Sequence, residues 1–428
     1  MRAALRIAVV GYGTGGQAAA VLLSRDGHRV DVFERAPALG PVGAGFLLQP
    51  VGQAVLWSMG LLDDALLHGA RIASLYGETV AGRPVMDMRY AELDARIFGL
   101  GMQRGALFQL LDAAWTEHRT LHVGQRIVDV DVDRGVLTDA AGRRHGGFDL
   151  VIVADGAASA LRSRVADAIL DRPYPWGAQW CLAPMQDWPW RNVLRQRYRG
   201  ARRMAGMLPV GTRPGDPVPR LSFFWSVPTA ELDRIDVDRD AWRRDVAAVW
   251  PDALDCLAGI EAPHALAQAR YRDTVHRSWH RGRAVLLGDS AHAMSPQLGQ
   301  GVNMALLDAQ ALRDALRVEA VVPAALQRYE RERRAHLAAY HFWSRALTPL
   351  FQSHRDAAAR VRDLTFHPMS RLPVARGMML RVLTGTRRGW LSTHPLPDGF
   401  VDALGRLPAS TPLQLCPTAH DDEAVDVA

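Results

Sequence analysis

Apolar residues fall in two rhythms along this chain of 428 residues. Leu5-Arg6-Ile7-Ala8-Val9-Val10 holds a short apolar run that no polar position interrupts, which predicts a strand buried on both faces of a parallel sheet. Arg29–Phe33, Leu150–Val153 and Ala284–Leu287 read as further strands. Between and after them the composition turns helical: Gln17 to Ser24, the stretch opened by Arg104, Met304 to Leu316, and on to about Ser353. Ala357 to Thr384 predicts one or two more helices, basic and apolar together. The middle differs. Gln179–Pro184, Val193–Tyr198, Met204–Val210 and Leu221–Val227 cluster or alternate as strands, separated by turn-rich segments such as Gly211–Pro217. They predict an antiparallel sheet, to which Arg83–Arg96 also contributes. The fold class is therefore α/β, a dinucleotide-type domain with an inserted antiparallel sheet and C-terminal helices.

Composition narrows the function. With 48% hydrophobic and 22% charged residues the chain is ordinary globular protein, long enough for two domains. Net charge is +6, and all 51 basic residues are Arg, since the chain has no lysine. The arginines run from end to end among Asp and Glu instead of gathering on one stretch, which argues against nucleic acid as a partner. Cys181, Cys256 and Cys416 are far apart and form no CxxC, so no disulfide framework, metal or dithiol site is expected. Arg2 and Arg6 precede an apolar run too short for a secretion signal, and no stretch is long enough to span a bilayer. A cytoplasmic protein is expected.

The chemistry starts at Gly11-Tyr12-Gly13-Thr14-Gly15-Gly16, which matches G-x-G-x-x-G at Gly11, Gly13 and Gly16. Gly11 permits the tight turn, Gly13 lets backbone approach a pyrophosphate, and Gly16 lets helix and strand pack closely. Glu34 ends the second strand 34 − 16 = 18 positions later, close to the spacing of a ribose-binding acid. Strand, loop, helix and acid in this order make the motif specific, and the acid favours FAD or NAD over NADP at this site. Tyr12 reads as packing.

Four more segments carry signals. Gly43-Ala44-Gly45-Phe46 follows soon after Glu34, and Arg104 stands at a helix start. A strand ends in Asp155-Gly156, with Arg162 following. Last comes Gly288-Asp289-Ser290-Ala291-His292, then Pro296, Gly299, Gly301, Val302 and Asn303, with Asn303 placed to cap the next helix. A carboxylate such as Asp289 suits vicinal hydroxyls. Pro296 fixes a loop wall, Gly299 and Gly301 let backbone approach a flat ring, and the helix beyond presents its positive end. His292 reads as a structural hydrogen-bonding residue, not as a base.

In order and spacing, from about Arg6 to about Tyr340, these segments resemble the single-component FAD-dependent monooxygenases of the para-hydroxybenzoate hydroxylase type. The resemblance implies bound FAD, NAD(P)H as reductant and O2 as co-substrate. It implies hydroxylation of an aromatic small molecule, phenolic or heteroaromatic, through a C4a-hydroperoxyflavin. It places Glu34 and Arg35 at the adenosine ribose, Arg104 at the ribose and phosphate, and Asp155, Gly156 and Arg162 in the Asp-Gly motif. Asp289 would accept hydrogen bonds from the ribityl chain or ribose, with Gly45 in the same cofactor set. Val153 stands where the family commonly has glycine. No side-chain nucleophile is implied, and no catalytic base can be named.

The expected organisation is a discontinuous FAD-binding domain (1–75, 100–170, 276–340) and a substrate sheet (76–99, 171–275). A helical region (341–405) and a flexible acidic tail (406–428) follow. The C-terminal helices are expected to dock on the FAD domain, with contact to a membrane surface the sharper option. Trp176, Trp180, Trp188, Trp190 and Trp225 read as core more readily than as a pocket. Two other functions compete: another FAD oxidoreductase on this fold (a halogenase or a prenyl reductase), or a non-catalytic FAD-binding protein. The halogenase signature Gly-Trp-x-Trp-x-Ile-Pro is missing.

Overall fold

A computed structural model describes residues 4–40, 43–232, 238–259, 266–390 and 392–407. The uninterrupted apolar run forms the strand Arg6–Val10 at the centre of a six-stranded sheet. Arg29–Phe33 and Leu150–Val153 flank it in parallel. Arg119–His122 and Ala284–Leu286 extend the sheet outwards, and His280–Arg281 closes one edge antiparallel. Ile7, Ala8, Val9 and all of Leu150–Val153 are inaccessible to solvent. A strand covered on both faces has no position for an unpaired polar side chain, which is why its sequence is unbroken. Helix Thr14–Arg25 packs between Gly301–Val318 and Arg104–Ala114.

The second sheet has seven strands in the order Ala267–His276, Ala168–Pro184, Asp216–Pro228, Arg203–Arg213, Val193–Arg199, Ser74–Thr79, Pro84–Arg89. The antiparallel expectation needs one correction, because Val193–Arg199 runs parallel to Ser74–Thr79. These two strands are far apart in sequence, so no hairpin imposes a direction on them. A small sheet of Gly45–Leu48, Gly99–Gln103 and Ala70–Ile72 joins the two halves.

Side-chain alternation gives the large sheet two different faces. Leu221, Phe223, Trp225 and Val227 point outwards and pack with Met207, Trp188, Trp242 and Trp250 in one core. Ser222, Phe224 and Ser226 point to the other side, where Phe224 meets Trp180 edge-on at 4.6 Å. Of the tryptophans singled out, Trp188 and Trp225 are core, Trp190 packs on Trp188, and Trp176 lies against His354.

Helix Val322–Phe351 is followed by Asp356–Ser370 and Pro373–Thr384. The expectation that these last two dock on the FAD half is corrected for the first of them: Asp356–Ser370 packs on strand Pro84–Arg89 of the seven-stranded sheet. Its buried Arg362 lies over the rings of Tyr198 and Phe351 and donates to Leu350 O and Gly200 O, which fixes the helix there. Most of the acidic tail, residues 408–428, lies outside the described residues. Among the described residues, no helix is long and apolar enough to cross a membrane.

Candidate functional site: two glycine loops and an arginine

The first loop is built by close backbone contact. Gly11 has φ +102° and donates to Phe33 O at 2.8 Å. A Cβ at Gly11 would strike Ala154 O, and one at Gly16 would strike Gly11 O. Gly13 has no neighbour within 4 Å of where its Cβ would be, so its backbone faces open space at the start of helix Thr14–Arg25. Glu34 reaches into this turn. Its carboxylate oxygens accept from Tyr12 N and Ala36 N, each at 2.8 Å. Arg35 is exposed. Tyr12 packs on Phe108 and Trp115 and donates to Asp112 at 2.6 Å, the packing role expected of it.

Arg104 is the first residue of its helix, and its N–H donates to Ala44 O at 2.9 Å. Its side chain runs along Gly43, where a Cβ would lie only 2.9 Å from Arg104 Cδ, so glycine at φ +98° makes room for it. Solvent reaches the guanidinium, yet protein surrounds it on most sides. Burial lowers its pKa, against the pull of Asp289 and Tyr271. Asp289, 185 positions away (289 − 104), is thus within electrostatic reach of Arg104. Gly45 is buried and packs against Val210 and Ser222, and its N–H donates to Ser222 Oγ at 3.1 Å.

The Asp-Gly and Gly-Asp turns meet through Arg162. This side chain is buried and donates to Ser290 O (2.8 Å), Ala157 O (2.8 Å) and Asp289 O (3.1 Å), with Asp171 at 3.4 Å. Arg162 thereby clamps the Asp-Gly and Gly-Asp turns together. Asp155 accepts from Ala160 N at 3.1 Å, while its other oxygen is buried without a partner. Burial raises the Asp155 pKa. Gly156, at φ +85°, borders open space.

The second loop is held from behind by side chains. Gly288 has φ +68° and donates to Asp308 at 2.9 Å. Asp308 also takes His292 Nε2 at 2.5 Å and Arg333 Nε at 2.6 Å. Burial alone would raise the Asp308 pKa, but His292 and Arg333 outweigh it and hold it at about 2. Arg333 Nη1 then donates to His336, whose other nitrogen meets Gly385 O at 2.8 Å. His292 is structural, as the sequence suggests.

Asp289 is exposed, and its Oδ1 lies 3.8 Å from where a Cβ of Gly301 would stand, at the start of helix Gly301–Val318. Pro296 and Val302 are half-buried beside exposed Gly299 (φ +61°) and Gly301. The helix starts two residues before Asn303, so the capping expectation for Asn303 is corrected. Fully buried, Asn303 accepts from Gln49 N at 2.8 Å and donates to Leu47 O and Gly299 O, each at 3.3 Å. It welds the Gly45 loop to the Pro296–Gly301 loop. A helix interior is indifferent to an amide whose bonds are made elsewhere.

Sequence reasoning missed Asp308, Ser222 and Tyr271. Asp308 left a signal, a lone acid inside the apolar stretch Met304–Ala309. Ser222 and Tyr271 left none, because their value depends on which strand face they occupy.

These residues suit FAD. Open backbone at Gly13 at a helix N-terminus fits a diphosphate. The orphaned buried Asp155 oxygen and the exposed Asp289 carboxylate are acceptors for hydroxyl groups. Arg104, within electrostatic reach of Asp289, supplies a cation.

The comparisons agree. The pattern of the FAD binding domain family matches residues 4–343. The chain is 30% identical over 352 residues to the aurachin C monooxygenase/isomerase of Stigmatella aurantiaca, covering 77% of this chain and 85% of that one. It is 28% identical over 345 residues to the FAD-dependent urate hydroxylase of Klebsiella pneumoniae, covering 77% and 86%. Its fold matches Klebsiella pneumoniae HpxO complexed with FAD and uric acid, with TM-score 0.75, 22% identity and coverage of 89% and 97%. It also matches 2-methyl-3-hydroxypyridine-5-carboxylic acid oxygenase in its tetrameric form, with TM-score 0.73, 24% identity and coverage of 91% and 99%. A motif set that converges on one cleft, a family pattern across most of the chain and these relatives together make it a member of the FAD-dependent monooxygenases of the para-hydroxybenzoate hydroxylase type.

Proposed function

We propose that the chain is an NAD(P)H- and O2-dependent hydroxylase of a flat aromatic small molecule, held in the cytoplasm. Gly11, Gly13, Gly16, Glu34, Arg35, Arg104, Asp155, Gly156, Asp289 and the backbone from Pro296 to Asn303 hold FAD in this reading. Bound FAD supplies the electron transfer from NAD(P)H and the activation of oxygen. The protein orients the ring, keeps water out and places positive potential where reduced flavin carries negative charge. The N-terminus of helix Gly301–Val318 provides that potential.

One observation carries the reading: at Ser222 and Tyr271 the inner face of the seven-stranded sheet meets the loops at Gly45 and Arg104. Ser222 contacts Gly45, and Tyr271 lies within electrostatic reach of Arg104. Of the strand positions on that face, Ala178, Trp180, Met204, Gly206, Ser222, Phe224 and Ser226 are uncharged, Phe224 and Met204 packing with Phe351, while Asp273, two positions beyond Tyr271, is ion-paired with Arg345 at 2.8 Å. A wall of aromatic and small neutral side chains suits a neutral aromatic substrate and a dry reaction site. In this reading residues 76–99 and 171–275 choose the substrate.

Purified protein loaded with FAD should be yellow. It should consume NAD(P)H and O2 faster when a phenolic or heteroaromatic compound is added, and mass spectrometry should show that compound gaining one oxygen. A loaded protein that never accelerates NAD(P)H oxidation across such a panel would overturn the proposal.

A further inference from the structure

Five of the seventeen large apolar side chains exposed on the described structure fall within residues 361–374, so they form a patch and not a scatter. They are Val361 and Leu364 (each 56% exposed), Met369 (52%), Leu372 (59%) and Val374 (88%). Val361, Leu364 and Pro368 recur at helical spacing along the outer side of Asp356–Ser370, and Leu372 and Val374 continue the patch across the turn into Pro373–Thr384. The opposite sides of these helices already anchor them. Ala359, Arg362 and Leu380 are buried, and Arg376 is ion-paired with Glu92. The outer apolar residues are therefore not needed to hold the helices in place.

Charge says what covers them. Arg355, Arg360 and Arg371 are exposed around the patch and have no ion pair among the described residues. The nearby acids are neutralised within the chain, Asp356 by Arg202 at 2.9 Å and Asp363 by Arg362 at 2.6 Å. The uncompensated charge of this surface is positive. A second copy of the chain on a two-fold axis through the patch would bring this positively charged surface against itself, its nearby acids Asp356 and Asp363 already paired within the chain. An anionic lipid surface offers both an apolar layer for the side chains and phosphate for the arginines.

We propose that the turn between helices Asp356–Ser370 and Pro373–Thr384 docks this protein on anionic membrane surfaces, inserting Met369, Leu372 and Val374 at the headgroup boundary with Arg360 and Arg371 on lipid phosphates. The contact is peripheral. It depends on lipid charge and weakens with salt.

The test is sedimentation of the FAD-loaded full chain with vesicles containing phosphatidylglycerol, against vesicles of phosphatidylcholine alone. The wild type should partition to the anionic vesicles only. The double variant Leu372→Asp with Val374→Asp should lose at least about tenfold in partitioning, and Arg371→Gln about fivefold. Both should keep the flavin absorbance and melting temperature of the parent, and Arg371→Gln, an exposed polar exchange, serves if the double variant does not fold. No binding to anionic vesicles, or binding unchanged in the variants, overturns the proposal. So does a dimer that Leu372→Asp with Val374→Asp converts to monomer while vesicle binding stays the same, since the patch would then cover a second copy.

Discussion

The two glycine loops are held in different ways. Gly11–Gly16 is fixed mainly by backbone against backbone, Gly16 on Gly11 O and Gly11 on Ala154 O, with the Glu34 carboxylate on Tyr12 N adding a side-chain tie. Gly288–Gly301 has looser backbone surroundings. Gly299 has nothing within 4 Å of a Cβ position, and Gly288 meets only Ala305 at 3.4 Å. What holds the second loop is a buried set of side chains, Asp308, His292, Arg333 and Arg162, together with Asn303. A loop made of contacts between main-chain atoms tolerates no added atom. A loop made of charged side chains tolerates no removed one, because the partner left behind is a buried charge.

The comparison is broken most severely at the first loop. Gly16→Ala should cost about 4 kcal/mol and give a protein that purifies colourless or insoluble. A variant that stays yellow with the parent's melting temperature would show that the backbone contact is not what holds this loop. Next is Asp308→Ala, which leaves Arg333 and Gly288 N without their acceptor. Denaturant titration should show a loss of roughly 3–5 kcal/mol, and released flavin should appear early in the transition. If the loss is below about 1 kcal/mol, the buried network is not the support of the second loop.

Acid should act on the side-chain-held region first. Burial lowers the pKa of His276 to about 4 and of His336 to about 2, below the ordinary 6.5. Both are neutral in the folded state, and the unfolded chain takes up their protons once pH falls below about 6.5. Stability should therefore be full above that pH and fall between 6.5 and 4 by up to roughly 3 kcal/mol per pH unit for the two groups together. Denaturation midpoints that do not move from pH 7 to pH 5 would refute this. The smallest effect sharpens the cofactor side. Asp289→Ala, which removes an exposed acceptor, should weaken FAD binding by roughly tenfold to a hundredfold, as read by flavin fluorescence titration, with little change in the apoprotein's stability.

How much could be read in advance follows from the same contrast. The turn at Gly11 and Gly16 was legible because the close backbone contacts there admit no Cβ. Asp289 and Arg104 were legible as types, but not as neighbours. Asn303 was legible as a helix-start residue but not as the link to Gln49 and Leu47, and the clamp made by Arg162 was not legible, since a sequence does not show which way an arginine or an amide turns. The sheet's inner face was not legible. Ser222, Phe224 and Ser226 alternate with Phe223 and Trp225, and nothing local says which set faces the cofactor half.

The buried parallel strands, the glycine turns and the acids that follow them are each a constraint among residues close along the chain, so they are written locally. Only the tertiary structure brings Arg104 within electrostatic reach of Asp289, sets Asp308 on Gly288 N, and lays Ser222 against Gly45. Those pairings join residues far apart in sequence, and only the packing of one half on the other brings them within reach.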